Sequence, residues 1–207
     1  MERKHRRPAM LDEQTAERMV GDVDPALRSQ AAHTTADVLV RRGRAGAEDP
    51  ELLARLVSLV DEEGLETIAE LWAQSPPGTL PGALWRLYLM REWVRTDPHT
   101  VANRFRLGRE RADVAGAIAG VVEPPGPKDV AQLADAVLAG VYEGHLDVAL
   151  DRAAAFFRVV ATGAALDADV MEDDNLADRV TRRASALLRT AEELDNAADL
   201  WRAGRLV

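Results

Sequence analysis

The chain has 207 residues, a formal charge of −9 at pH 7, 47% hydrophobic and 29% charged residues, and no cysteine. A chain of this length can bury a core without staples, and its balance of apolar and charged residues argues against global disorder. The lack of cysteine removes disulfides, thiolate metal sites, iron–sulfur clusters and cysteine nucleophiles.

The chain opens on Arg3, Lys4, Arg6 and Arg7 and then runs into Leu11, Asp12 and Glu13. No apolar run follows the basic start, so no secretory leader is expected. Residues 1–8 read as a disordered basic tail before a single helical domain, 9–207. Nowhere do enough apolar residues run together to span a bilayer, so the expectation is a cytoplasmic protein with no membrane contact.

Three helix starts share one signature: Asp24-Pro25, Asp49-Pro50 and Asp97-Pro98. Aspartate at the N-cap accepts from free backbone N–H groups, and proline in the first turn gives up a donor that had no partner. After Pro50, Leu52, Leu53, Leu56, Val57, Leu59 and Val60 form a broad apolar face that Gly64 ends. A helix over 65–74 follows, then the breaker Ser75-Pro76-Pro77-Gly78. Pro81 begins a helix that ends before Asp97, and the Asp97-Pro98 helix stops near Gly108. Residues 110–122 make another, built on small residues.

Glu123-Pro124-Pro125-Gly126-Pro127 is the strongest break, a rigid corner or a sub-division of the domain. Beyond it Asp129 is expected to cap a helix carrying Leu133, Val137 and Val141, closing near Gly144. Leu146 to Ala161 forms the next, closed by Gly163, with a mobile linker over 164–174. A long last helix, capped by Asp174 or Asn175, carries Leu176, Val180, Leu187, Leu194 and Trp201. No run alternates with period two, so the fold class expected is all-α, a multi-helix bundle of about eight to ten helices.

Chemistry is announced nowhere. There is no phosphate-binding Gly-rich loop, nucleophile elbow, His-Glu-x-x-His or Glu-x-x-His. No cofactor is expected. His145 has the best acidic company, with Asp147 and Asp151 spaced to stack on one helix face. These three are the weak metal or acid–base candidates; the competing reading is carboxylates placed at a helix N-terminus, where the macrodipole favours them. The run Asp167, Asp169, Glu172, Asp173, Asp174 lacks the glycine a calcium loop needs and reads as solvated.

Charge is segregated. Residues 84–111 carry seven arginines against three acids, and 167–178 carry six acids and no base. Within the first stretch, Trp85, Tyr88 and Trp93 interleave with arginines, so Arg86, Arg91, Arg95, Arg104 and Arg106 are the candidate surface for an anion or partner. The competing reading puts the aromatics in the core and the arginines on its solvated face. The two oppositely charged stretches can meet within one chain or across a dimer interface.

The stretch 81–95, the 123–127 corner, residues 150–160 and the ending Leu200-Trp201-Arg202-Ala203-Gly204-Arg205 resemble a group of small helical actinobacterial proteins of unknown function. A basic complement that includes only two lysines agrees with such an origin. The resemblance implies no activity. The leading expectation is a non-enzymatic helical interaction or regulatory protein that self-associates as a homodimer or binds a protein partner. Two alternatives stand beside it: a helical transcriptional regulator or nucleic-acid binder, possible but not favoured, and a carboxylate- or metal-dependent enzyme.

Overall fold

Aspartate and proline start helices here as their chemistry predicts. The Asp24 carboxylate accepts from the Ala26 N–H at 2.9 Å, opening α1 (Pro25–Gly46). Asp97 accepts from Thr100 at 3.3 Å and opens α4 (Pro98–Arg109). The computed structural model describes residues 24–46, 65–111, 126–142 and 145–207. The Asp49-Pro50 helix, the 110–122 helix and the basic tail lie outside the described residues.

Among the described residues there are seven helices and no strand. Besides α1 and α4 these are α2 (Leu65–Trp72), α3 (Leu80–Thr96), α5 (Pro127–Tyr142), α6 (Leu146–Asp169) and α7 (Asp174–Arg202). The protein is thus all-α, with seven described helices where about eight to ten were expected.

Several boundaries differ from the sequence expectation, each for a physical reason. Asp129 is not the cap of α5. It lies in the first turn and its carboxylate reaches back to accept from the Gly126 N–H at 2.7 Å, the return half of a capping box. Asp173, not Asp174 or Asn175, caps α7, accepting from Leu176 at 3.0 Å. Gly163 does not close α6. The helix continues to Asp169, so most of the expected mobile linker at 164–174 is helix and the turn to α7 is short.

Gly163 is instead where two helices touch by their backbones. A Cβ on Gly163 would lie 1.7 Å from the Arg104 carbonyl oxygen, and one on Gly108 would lie 1.8 Å from the Val159 carbonyl oxygen. Only glycine at both positions lets α4 cross α6 this closely. Phe105 and Phe156 stack beside the crossing at 5.6 Å between centroids.

α6 is the axis of the bundle. Leu146, Leu150, Ala153 to Phe157, Val159, Val160 and Ala164 are all buried, so the helix is apolar nearly all round and is enclosed by α4, α5 and α7. α7 lies along it in the most extensive pairing of the fold. One apolar cluster joins Ala32 of α1, Trp72 of α2, Leu87 of α3, Phe105 of α4 and Val137 of α5 to α6 and α7, and so draws on both sides of residues 123–125, which lie outside the described residues. Trp72 is fully buried and donates from Nε1 to Thr35 Oγ1 at 3.1 Å, which removes the cost of burying its one polar atom.

The chain ending folds back on the bundle. Gly204, at φ +66°, lets the Gly204 N–H donate to Trp201 and the Arg205 N–H donate to Leu200, the paired bonds of a Schellman motif. Leu206 is then buried, and the Leu80 N–H donates to the Val207 carbonyl at 2.7 Å, tying the end of α7 to the start of α3.

The crossing gives a test. Gly108→Ala and Gly163→Ala should each cost about 3 kcal/mol in urea unfolding, because a carbonyl must move. Gly140→Ala, whose Cβ meets only Ala149 Cβ at 3.6 Å, should be neutral or stabilising by up to about 1 kcal/mol. Equal effects at all three positions would remove the crossing from the account.

Candidate partner-binding cleft

The arginines of 84–111 are largely engaged inside the chain. Arg86 Nε donates to Glu193 Oε2 of α7 at 2.7 Å and its Nη1 donates to the Gly82 carbonyl at 2.8 Å. Arg91 Nε donates to Asp135 of α5 at 2.9 Å and also contacts Glu92 at 3.4 Å. Arg104 Nε donates to Asp167 of α6 at 3.2 Å. These three guanidinium groups brace α3 and α4 against α7, α5 and α6. Arg106 is exposed and donates to Asn103 of its own helix at 3.0 Å. Arg95 is exposed and, among the described residues, has no ion-pair partner. The five therefore do not form one surface.

The oppositely charged stretches do meet within the chain, at Arg104 and Asp167.

The carboxylate pair at the start of α6 is also occupied. Arg202, from the last turn of α7, donates to Asp147 Oδ2 at 3.2 Å and makes a second hydrogen bond to Asp151 Oδ2. Hydrogen bonding to Asp151 holds the Arg202 guanidinium above its ordinary pKa. His145 is exposed at the N-cap position and makes no side-chain capping bond. Among the described residues no cluster of three ligating side chains could hold a metal ion. What brings Asp147 and Asp151 together is a cation of the chain itself, fastening the end of α7 to the start of α6. Arg158 and Asp195 fasten the same two helices near the middle, and hydrogen bonding to Asp195 likewise raises Arg158.

The aromatics of α3 build the feature that remains open. Trp85, Leu89 and Trp93 recur every four residues, so they line one side of α3. Trp85 and Trp93 are half-buried and packed on the core, while Leu89 is 44% exposed. Facing them across a cleft of about 350 Å³ are Leu187 and Thr190 of α7, with Met90 and Phe157 also in its lining. Trp93 lies nearly parallel to Phe157, 6.4 Å between centroids, and Trp85 stacks on Tyr88 at 5.6 Å. One face of each indole is thus already covered. α3 and α7 run antiparallel here, since Leu80 at the start of α3 bonds Val207 beyond the end of α7 while Arg86, further along α3, pairs with Glu193, further back along α7.

A larger cleft, about 700 Å³, lies where the chain ending meets α1 and α3, lined by His33, Asp37, Val40, Leu80, Trp201 and Leu206 among others. His33 Nδ1 is hydrogen-bonded to the Ser29 carbonyl at 2.8 Å within α1.

The basic group that charge counting over 84–111 misses lies on α7. Between Asp178 and Glu192 there are four arginines, Arg179, Arg182, Arg183 and Arg189, and no acid. All four are exposed, and among the described residues none has an ion-pair partner. Arg183 and Arg179 stand one and two turns before Leu187, on the side of α7 that leads up to the cleft lining.

No protein-family model matches the chain, nor does any curated protein or solved structure.

The Arg202 bridge gives a second test. Arg202→Ala should lower stability by about 1 kcal/mol, the scale of exposed ion pairs, with the loss shrinking at high salt. In calorimetric titration, manganese should give no heat with the native protein, since Arg202 holds both carboxylates. Stoichiometric binding that survives in Asp147→Asn with Asp151→Asn would place a metal elsewhere.

Proposed function

We propose that this chain is a non-enzymatic helical interaction protein that self-associates, with the α3–α7 cleft as its contact face. The carrying observation is the cleft itself. Trp85, Leu89, Trp93 and Leu187 keep apolar surface open along the cleft, whereas Trp72, Phe105 and Phe156 are fully buried. Exposed apolar surface that packing within the chain leaves uncovered marks contact sites, and tryptophan and arginine together are the residue types enriched at binding hot spots.

Two other readings are weaker on particular residues. A regulator that reads DNA needs a helix–turn–helix. Residues 25–46 form a single continuous helix, and only Asp97 separates α3 from α4. Binding of single strands would use open aromatic faces for stacking, whereas Trp85 and Trp93 each spend a face on a neighbouring ring. An enzyme centred on His145, Asp147 and Asp151 would need those carboxylates free of Arg202. The cytoplasm as compartment and kinship with small actinobacterial helical proteins belong to the same proposal and rest on the sequence alone.

Leu89→Glu with Leu187→Glu changes only partly exposed side chains and tests the reading. Light scattering on the purified chain, alone and with extract of the cells that make it, should show an assembled species that the double variant loses while its helical circular dichroism is unchanged. Equal assembly by both proteins would place the contact elsewhere. A native protein that stays monomeric and recruits nothing would sink the reading.

A further inference from the structure

The cleft needs an occupant, and this chain carries one that fits. The α6–α7 turn presents Val170, 78% exposed, and Leu176, 40% exposed, the first the most exposed large apolar residue described. Around them stand the carboxylates of Asp169, Glu172, Asp174 and Asp178, all exposed and, among the described residues, without an ion-pair partner. Asp173 is used as the α7 cap and Asp167 is held by Arg104, so these four are the acids of this corner left without an ion pair among the described residues.

The cleft is the counterpart in both shape and sign. Its lining is apolar along two turns of α3, from Trp85 to Trp93. Its one lining cation, Arg86, is neutralised by Glu193, which closes that end of the cleft. The nearest carboxylate on α3, Glu92, contacts Arg91. The other end runs towards Arg183 and Arg179, cations without partners in a protein of net charge −9. An apolar corner ringed by carboxylates thus matches an apolar cleft bordered by arginines.

We propose that the acidic α6–α7 corner of one copy docks in the α3–α7 cleft of a second copy, Val170 and Leu176 entering beside Leu89 and Trp93, with Asp169 and Glu172 meeting Arg179 and Arg183. This rests on the interaction reading above and names the partner as the same chain. A foreign acidic helix would satisfy the cleft equally in charge. The second copy is favoured because the complementary patch is already present on every molecule, and like molecules pair most often.

Charge exchange tests it with the full chain. One variant carries Arg179→Glu and Arg183→Glu; the other carries Asp169→Lys and Glu172→Lys. Lysine at 169 is favoured by the dipole at the C-terminal end of α6, and Glu172 is exposed and lies outside both helices, so folding should survive in the second. By sedimentation at tens of micromolar, the native chain should assemble, more weakly at high salt. Each variant alone should associate at least about tenfold more weakly. Mixed in equal amounts they should recover assembly, since each supplies the charge the other lacks.

Assembly that both variants retain, or a mixture that stays as weak as its parts, overturns the corner-to-cleft contact. A monomeric native chain that still recruits another protein through the cleft, lost in Leu89→Glu with Leu187→Glu, also overturns it but leaves the interaction reading standing. A monomeric chain that recruits nothing removes both.

Discussion

The architecture depends on the contact between Gly108 and Gly163, where two helix backbones meet with no side chain between them. α6 is apolar nearly all round and can be stable only if neighbours enclose it. On the α4 side the two glycines bring the helix close enough to do so, and Phe105 then stacks on Phe156. Because Asp97 alone links α4 to α3, the crossing also restricts where α3 can go. The tryptophan side of α3 faces α7 across Phe157, with the place of α3 limited by a glycine pair on α4 and α6.

Charge is the second constraint, and its use is mostly internal. The chain has more acids than bases, yet four arginines of α3, α4 and the end of α7 join one helix to another: Arg86 to α7, Arg91 to α5, Arg104 to α6 and Arg202 to α6. Each such half-exposed pair contributes little to stability. What they supply is register, since a wrong helix pairing would set like charges against each other. The same accounting separates the charges the fold consumes from those it leaves over. The remainder includes an acidic corner at the start of α7 and an arginine run along its middle.

What was legible in the sequence follows from the range of the interaction. Caps act over three residues, so Asp24-Pro25 and Asp97-Pro98 could be read from local chemistry alone. Glycine is ambiguous because it serves both a helix end and a close approach. Gly204 is the former and Gly163 the latter, and only the partner helix distinguishes them. The ion pairs were not legible: Arg86 and Glu193 are 107 positions apart, and nothing local links them. Net charge over a window favours 84–111 and passes over residues 179–191, where four arginines stand without an acid. That absence of acids was the available signal for the arginine run of α7. The four-residue spacing of Trp85, Leu89 and Trp93 indicates a shared face but not whether another helix covers it.

The cleft lies where α3, packed mainly on α5 and α1, meets α7, packed mainly on α6. Their direct links are the Arg86–Glu193 pair and the backbone bond from Leu80 to Val207, both towards one end of α3. Beyond Arg86 the two helices leave Leu89 and the indole edges uncovered. Filling the gap from within would require larger side chains at Thr190 or Leu187, and the chain has a threonine at the first of these. A bundle selected only for its own stability has every reason to close such a gap, since each apolar side chain buried there would contribute about 1.5–3 kcal/mol. That the opening coincides with the one long unpaired arginine run on the described surface favours a role in contact over a packing defect.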